Sequence, residues 1–169
     1  FHADAETAGI RFNPRCRLGY YDQELSMLDD AASLLDTVLN ETDTRDQQAV
    51  RALIHAGFAY RDHEKPVRVL SGGERARLMF LCMKLNEPNF LILDEPTNHI
   101  DIAGKTSLET QLRESNATLL ITSHDRRFVD AVANRFVLID EGRLREIDTP
   151  DAFYAQMLNR APAVSKPVA

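Results

Sequence analysis

No apolar run in the sequence approaches the roughly 18 residues that a membrane span requires. The longest, such as Phe90 to Leu93, are strand-sized. The expectation is therefore a soluble protein with no membrane span in this chain, and cytoplasm is the default compartment. A basic and apolar leader is also missing, and the chain opens on Phe1 rather than methionine, which suggests a fragment boundary with the true amino terminus absent. Cysteine is scarce. Cys16 and Cys82 lie far apart without secretory features around them, which favours reduced buried thiols over a disulfide framework. Positive charge is short as well: the net charge of -6 argues against the whole chain being a strong nucleic-acid binder, although a local patch such as Arg75, Arg77, Arg126 and Arg127 could touch phosphate.

What is present suffices for one ordinary core, since 169 residues at 44% hydrophobic argue for one domain rather than two. Short apolar runs at Phe90 to Leu93, Thr118 to Thr122 and Phe136 to Ile139 each precede a helical pattern. That alternation predicts an α/β fold with a mostly parallel sheet, its strands buried on both faces by crossover helices. Helices are expected near Met27 to Leu39, Asp46 to Ala56, Gly72 to Leu85, Ile102 to Arg113, Arg126 to Asn134 and Pro150 to Leu158. Glu141-Gly142 is read as a tight turn into a final strand. From Ser26 to Pro66 no strand is convincing and acidic amphipathic helix dominates, which predicts a helical lobe set apart from the sheet. The Pro- and Ala-rich tail from Ala161 to Ala169 is expected to be disordered.

Chemistry is suggested in four places. Phe90-Leu91-Ile92-Leu93-Asp94-Glu95 sets two adjacent acids at the carboxyl end of a strand, the edge where open α/β sheets bind ligands. Side chains alternate along a strand, so the two carboxylates should point apart and do different work. The plain alternative is two solvated acids at a strand-to-loop junction. Leu70-Ser71-Gly72-Gly73-Glu74 opens a helix, and Ser71 with Glu74 can form a capping box. Capping gives no reason for two glycines, each of which costs about 1 kcal/mol against Ala in a helix. Bare backbone N–H groups at a helix amino terminus do suit a phosphate. Ser123-His124-Asp125 follows the strand Thr118 to Thr122, which brings His124 to the edge that carries Asp94 and Glu95. Gln23 follows the short apolar stretch from Leu18 and is unremarkable by itself.

Taken in order, Tyr21-Asp22-Gln23, Leu70-Ser71-Gly72-Gly73-Glu74, Leu91-Ile92-Leu93-Asp94-Glu95-Pro96-Thr97 and Ser123-His124-Asp125 resemble the Q-loop, signature, Walker B and H-switch of ATP-binding-cassette (ABC) ATPases. Glu95-Pro96-Thr97-Asn98-His99-Ile100-Asp101 and Ser123-His124-Asp125-Arg126-Arg127-Phe128 further resemble the ABC-F branch, whose members pair two cassettes in one chain and typically act on ribosomes. The resemblance covers about Gly19 to Tyr154. It implies a partial three-layer cassette core over residues 1–160, with the helical lobe inserted at about 26–88 and the tail at 161–169 outside it.

It also implies ATP and Mg²⁺ as cofactors. Asp94 would hold the metal through water, with Gln23 in the metal and water network; Glu95 would polarise the attacking water and His124 would contact the γ-phosphate. Ser71, Gly72, Gly73 and Glu74 would face a nucleotide held by a second cassette. Asp101 matches the D-loop, which communicates across the cassette interface, and equally suits the N-cap of the helix starting near Ile102.

One departure is as informative as the match. The Walker A loop, G-x-x-x-x-G-K-[ST], should precede the Q-loop, and nothing between Phe1 and Gly19 fits it. Gly104-Lys105-Thr106 imitates its end but follows the Walker B match, and reads as a coincidence on a helix. The expectation is an ATPase in the intact protein whose present chain is inactive alone, with a second cassette and a ribosome as the expected partners. Two other readings stay open: a non-enzymatic interaction module or degenerate cassette, and the nucleotide-binding subunit of a transporter.

Overall fold

The computed structural model describes residues 9, 11, 13–25, 27–98, 100–151, 154 and 155. Three strands, β1 (Leu18–Tyr21), β2 (Phe90–Asp94) and β3 (Thr118–Thr122), form a parallel sheet in the order β1-β2-β3. Gly19 lies opposite Leu91, and a Cβ there would come within 2.6 Å of the Leu91 side chain and 3.2 Å of Pro88, so β1 can approach β2 only with glycine at that position. Asn89 clamps the start of the sheet. Its side chain accepts from Arg17 N at 2.8 Å and donates to Arg15 O at 2.8 Å, while its carbonyl accepts from Thr118 N at 2.9 Å. In-register strands then finish together, with Asp94 beside Thr122, and deliver their carboxyl ends to one edge.

Before the sheet's second strand the chain builds its helices: α1 (Leu34–Glu41), α2 (Asp46–His55) and α3 (Gly72–Leu85), with 3₁₀ turns at Tyr60–Asp62 and Val67–Val69 between the last two. No strand interrupts 27–71 among the described residues, as the acidic amphipathic pattern suggests. Leu34, Val38, Ala49, Leu53, Val67 and Leu78 are fully buried where these helices meet. His63 is buried among them, 3.2 Å from the Phe58 carbonyl. The apolar cluster runs on into the sheet through Tyr21, whose ring stacks on Phe80 of α3 at 4.6 Å. After β2 come α4 (Ile102–Glu114), β3 and α5 (Arg126–Val132), the last anchored by buried Phe128.

Several expectations are corrected. The helix expected from Met27 begins only at Leu34, because Asp29 accepts from Ala31 N at 2.9 Å and Ser33 accepts from Asp36 N at 3.0 Å. These short side chains give the backbone turn and cap partners in place of a helical turn. The helix expected to reach Asn134 ends at Val132. The strand from Phe136 does not join the parallel sheet: β4 (Phe136–Asp140) pairs antiparallel with β5 (Arg143–Ile147). Glu141 and Gly142 both have positive φ, the geometry of a tight hairpin turn, whereas a parallel neighbour would need a long crossover. Nor are the strands covered on both faces. Leu120 of β3 is 54% exposed among the described residues, and Val137 and Ile139 of β4 are exposed as well. The chain divides into two compact units, Phe1–Val132 and Ala133–Ala169, the second built on the β4-β5 hairpin, across which Arg135 forms a two-bonded ion pair with Glu146. The expected tail, and most of the helix expected from Pro150, lie outside the described residues.

Candidate functional site

The carboxyl edge of the sheet gathers the two acids and the histidine. Asp94, the last residue of β2, accepts through Oδ1 from the hydroxyl of Thr122, its register partner on β3. Glu95 leaves the strand with φ 46°, although it precedes Pro96 and has a Cβ. Such strain persists only when the surroundings hold it. Its backbone N donates to Thr122 O at 2.9 Å and its carbonyl accepts from Asn98 N at 3.1 Å. The two carboxylates do point to different partners, but strand alternation is not the reason: the left-handed backbone at Glu95 turns it away.

His124 meets that carboxylate from the end of β3. Its backbone N donates to Glu95 Oε2 at 3.2 Å, and its Nε2 lies 3.5 Å from Oε1. Asp125 fixes the next turn. Its Oδ1 accepts from Phe128 N at 3.2 Å, capping α5, and its Oδ2 accepts from Lys105 Nζ of α4 at 2.6 Å. The Lys105 contact, first, and the backbone donors hold the Asp125 carboxyl below its ordinary range. Gln23 stands exposed just past β1, whose last residue, Tyr21, pairs with Leu93.

A second group lies apart from the first. Ser71 N-caps α3 in a complete capping box: its Oγ accepts from Glu74 N at 3.3 Å, and Glu74 Oε2 accepts from Ser71 N at 2.8 Å. Those bonds from Ser71, backbone first, hold Glu74 below the usual carboxylate range. Asp101 is the N-cap of α4, accepting from Gly104 N at 2.7 Å. Ser71, Gly72, Gly73 and Glu74 line a groove of about 1310 Å³ together with Asp101 and Gly104; Asp94, Glu95, Gln23 and His124 do not line it. The candidate residues thus form two clusters, one at the sheet edge and one at the mouths of two helices.

Three contributors escaped sequence reasoning. Thr122 is legible only once the β2-β3 register is known. Gly104 and Lys105, read as a chance imitation of a phosphate loop, sit on helix α4 with separate tasks. A Cβ at Gly104 would sit 3.0 Å from Asp101 Oδ1 and against Ile100, so glycine permits the cap. Lys105 binds Asp125, twenty residues on, and no local signal joins the two.

Among known proteins, the family model described as ABC transporter matches residues 5–98, more than half of the chain. YdiF of Bacillus subtilis is 38% identical over 138 residues, 81% of this chain and 22% of its own length. The ribosome protection protein VmlR of the same organism is 32% identical over 143 residues, 83% of this chain and 26% of its own. ABC transporter F family member 5 of Arabidopsis thaliana is 33% identical over 129 residues, 75% of this chain and 19% of its own. The chain therefore spans about a quarter or less of these relatives. In structure it resembles one chain from the dimeric structure of an ATP-binding cassette in a post-hydrolysis state bound to ADP and Pi, with a TM-score of 0.60 at 19% identity, covering 78% of this chain and 63% of that one. That likeness bears on the fold alone.

Proposed function

The chain belongs to the ABC transporter family, and from that premise we propose that it supplies the water-activating edge and the signature helix of an ABC-F-like ATPase that hydrolyses ATP between two cassettes. The observation that carries this reading is the Glu95–His124 pair at the sheet edge. Phosphoryl transfer asks a protein chiefly to position groups and to balance charge around a loose transition state. Glu95, largely buried and held by the His124 amide, is placed to accept a proton from a water; His124, exposed beside it, is placed to donate to an arriving phosphate oxygen.

The metal fits the donor set. Among the described residues no cluster of three or more His, Cys, Asp or Glu could cage a cation. Magnesium asks for less, since it keeps several waters and takes one or two carboxylates plus phosphate oxygens. Asp94 would hold it, with Gln23 at the neighbouring strand end. When bound, the ion supplies positive charge against the β- and γ-phosphate oxygens.

The groove shared by Ser71, Gly72, Gly73 and Asp101 serves the second cassette in this reading. With no phosphate loop between Phe1 and Gly19, the chain alone should bind ATP weakly and turn it over negligibly. The ribosome is proposed as the object of the cycle, supported by the name of VmlR. No described helix is long and apolar enough to cross a membrane.

The test is Glu95→Gln in the full-length protein. Hydrolysis should fall by about 10²-fold or more while ATP stays bound, because the carboxylate acts on water rather than on nucleotide. Loss of binding together with hydrolysis would give Glu95 a structural or metal-holding role, and an inactive wild type would favour the interaction module.

A further inference from the structure

The sheet-edge cluster is not held by its own elements alone. His124 is fixed on one side by the hydrogen bond that its backbone N donates to Glu95 Oε2 at 3.2 Å. On the other side stands Asp125, and Asp125 is tied across to α4 by Lys105 at 2.6 Å, with both side chains partly shielded from solvent. Lys105 lies one helical turn beyond Asp101, whose carbonyl accepts from Lys105 N at 2.9 Å, and Asp101 lines the groove assigned above to the second cassette. A continuous set of bonds therefore runs from the groove through Asp101, Lys105 and Asp125 to His124.

The geometry points to Lys105 as a positioning residue for His124, a strut through Asp125 by which the groove-lining start of α4 sets the place of the histidine beside Glu95. This rests on the functional reading just given and deepens it. Three physical reasons support the strut. A partly shielded pair at 2.6 Å between two elements restrains more than an exposed pair within one helix. Asp125 uses one oxygen for the cap of α5 and the other for Lys105, so loss of the lysine loosens the segment that carries His124. And α5 is only seven residues long, with Phe128 as its one buried residue, so the segment before it depends on the two Asp125 bonds for its place.

The test uses the full-length protein with Lys105→Met, Lys105→Arg and His124→Ala. Methionine keeps the stem and the helix preference while removing the charge. Lys105→Met should lower kcat about tenfold with KM for ATP within about twofold, the pattern of a misplaced group that acts in the transition state. Amide hydrogen exchange over residues 123–128 should accelerate while that of α4 is unchanged. Lys105→Arg should restore both, since a single bond to one carboxylate oxygen does not need the ammonium shape. If His124→Ala abolishes turnover but Lys105→Met leaves turnover and exchange at wild-type values, the strut is wrong and the functional reading stands. If Arg fails as badly as Met, Lys105 is a packing residue and not a strut. Wild-type hydrolysis by His124→Ala would overturn the functional reading and this inference together.

Discussion

The Glu95 carboxylate and the His124 imidazole stand 3.5 Å apart with opposite exposure: the glutamate side chain is 12% exposed and the histidine side chain 91%. One partner is held inside and the other is presented. The difference in exposure is compatible with the roles proposed above for the two side chains. The asymmetry arises from the backbone. Glu95 turns inward through its positive φ, while His124 continues outward from the end of β3.

Gly73→Asp should leave the fold intact and stop nucleotide-dependent closure of two cassettes. The residue is at the second position of α3, where an added carboxylate is favourable to the helix, so stability should change little. A phosphate approaching the same amides would instead meet a negative charge. Circular dichroism checks the fold, and ATP-dependent cassette association in the full-length protein checks the site. Normal closure of the variant would leave the capping box as the whole explanation of this motif.

Asp125 makes stability depend on acid. Its carboxyl titrates below the ordinary value of 3.8 because Lys105 donates to it, so it contributes stability above that value and loses it as pH falls through the lowered one. Asp125→Asn should be less stable than wild type at neutral pH, and the gap should narrow as pH falls below about 4. Urea midpoints from pH 7 to 3 measure this; a gap independent of pH would mean that the carboxylate is not favoured by folding.

Cys82 is free, 3% exposed, and its thiol is pushed up to about 12, chiefly by burial. The thiolate is therefore scarce near neutral pH, and burial keeps reagent from it in the fold. A thiol-labelling time course on denaturant-free protein should modify half-buried Cys16 first and Cys82 only at the rate of unfolding. Rapid labelling of Cys82 would show that the helical core opens locally.

Phe128 holds α5 to the rest of its unit. It is fully buried, and Phe128→Ala should cost about 3–5 kcal/mol, the range for removing a buried aromatic ring. Equilibrium unfolding gives the value. A loss under about 1 kcal/mol would mean that α5 is docked by its cap and the Lys105–Asp125 pair rather than by the ring.

Local signals set the parts whose causes are local. The bounds of α3 follow from Ser71 and Glu74 closing a capping box, and β3 from a short apolar run; both fall where the pattern predicts. Apolar periodicity places the start of α1 too early because Asp29 and Ser33 bond to their own backbone neighbours, a competition that periodicity does not register. The parallel role expected of Phe136 to Ile139 failed because an apolar strand does not specify its neighbour, whereas the turn at Glu141-Gly142 does. At the candidate site, the sequence by itself determined which residue types were available: the two acids, the histidine, and the glycines after Ser71. Only the tertiary structure decided that Thr122 meets Asp94, that Glu95 turns to His124, and that Lys105 reaches Asp125. Those contacts join residues 20 to 29 positions apart, and such distances close only when strand register and helix packing bring the ends together.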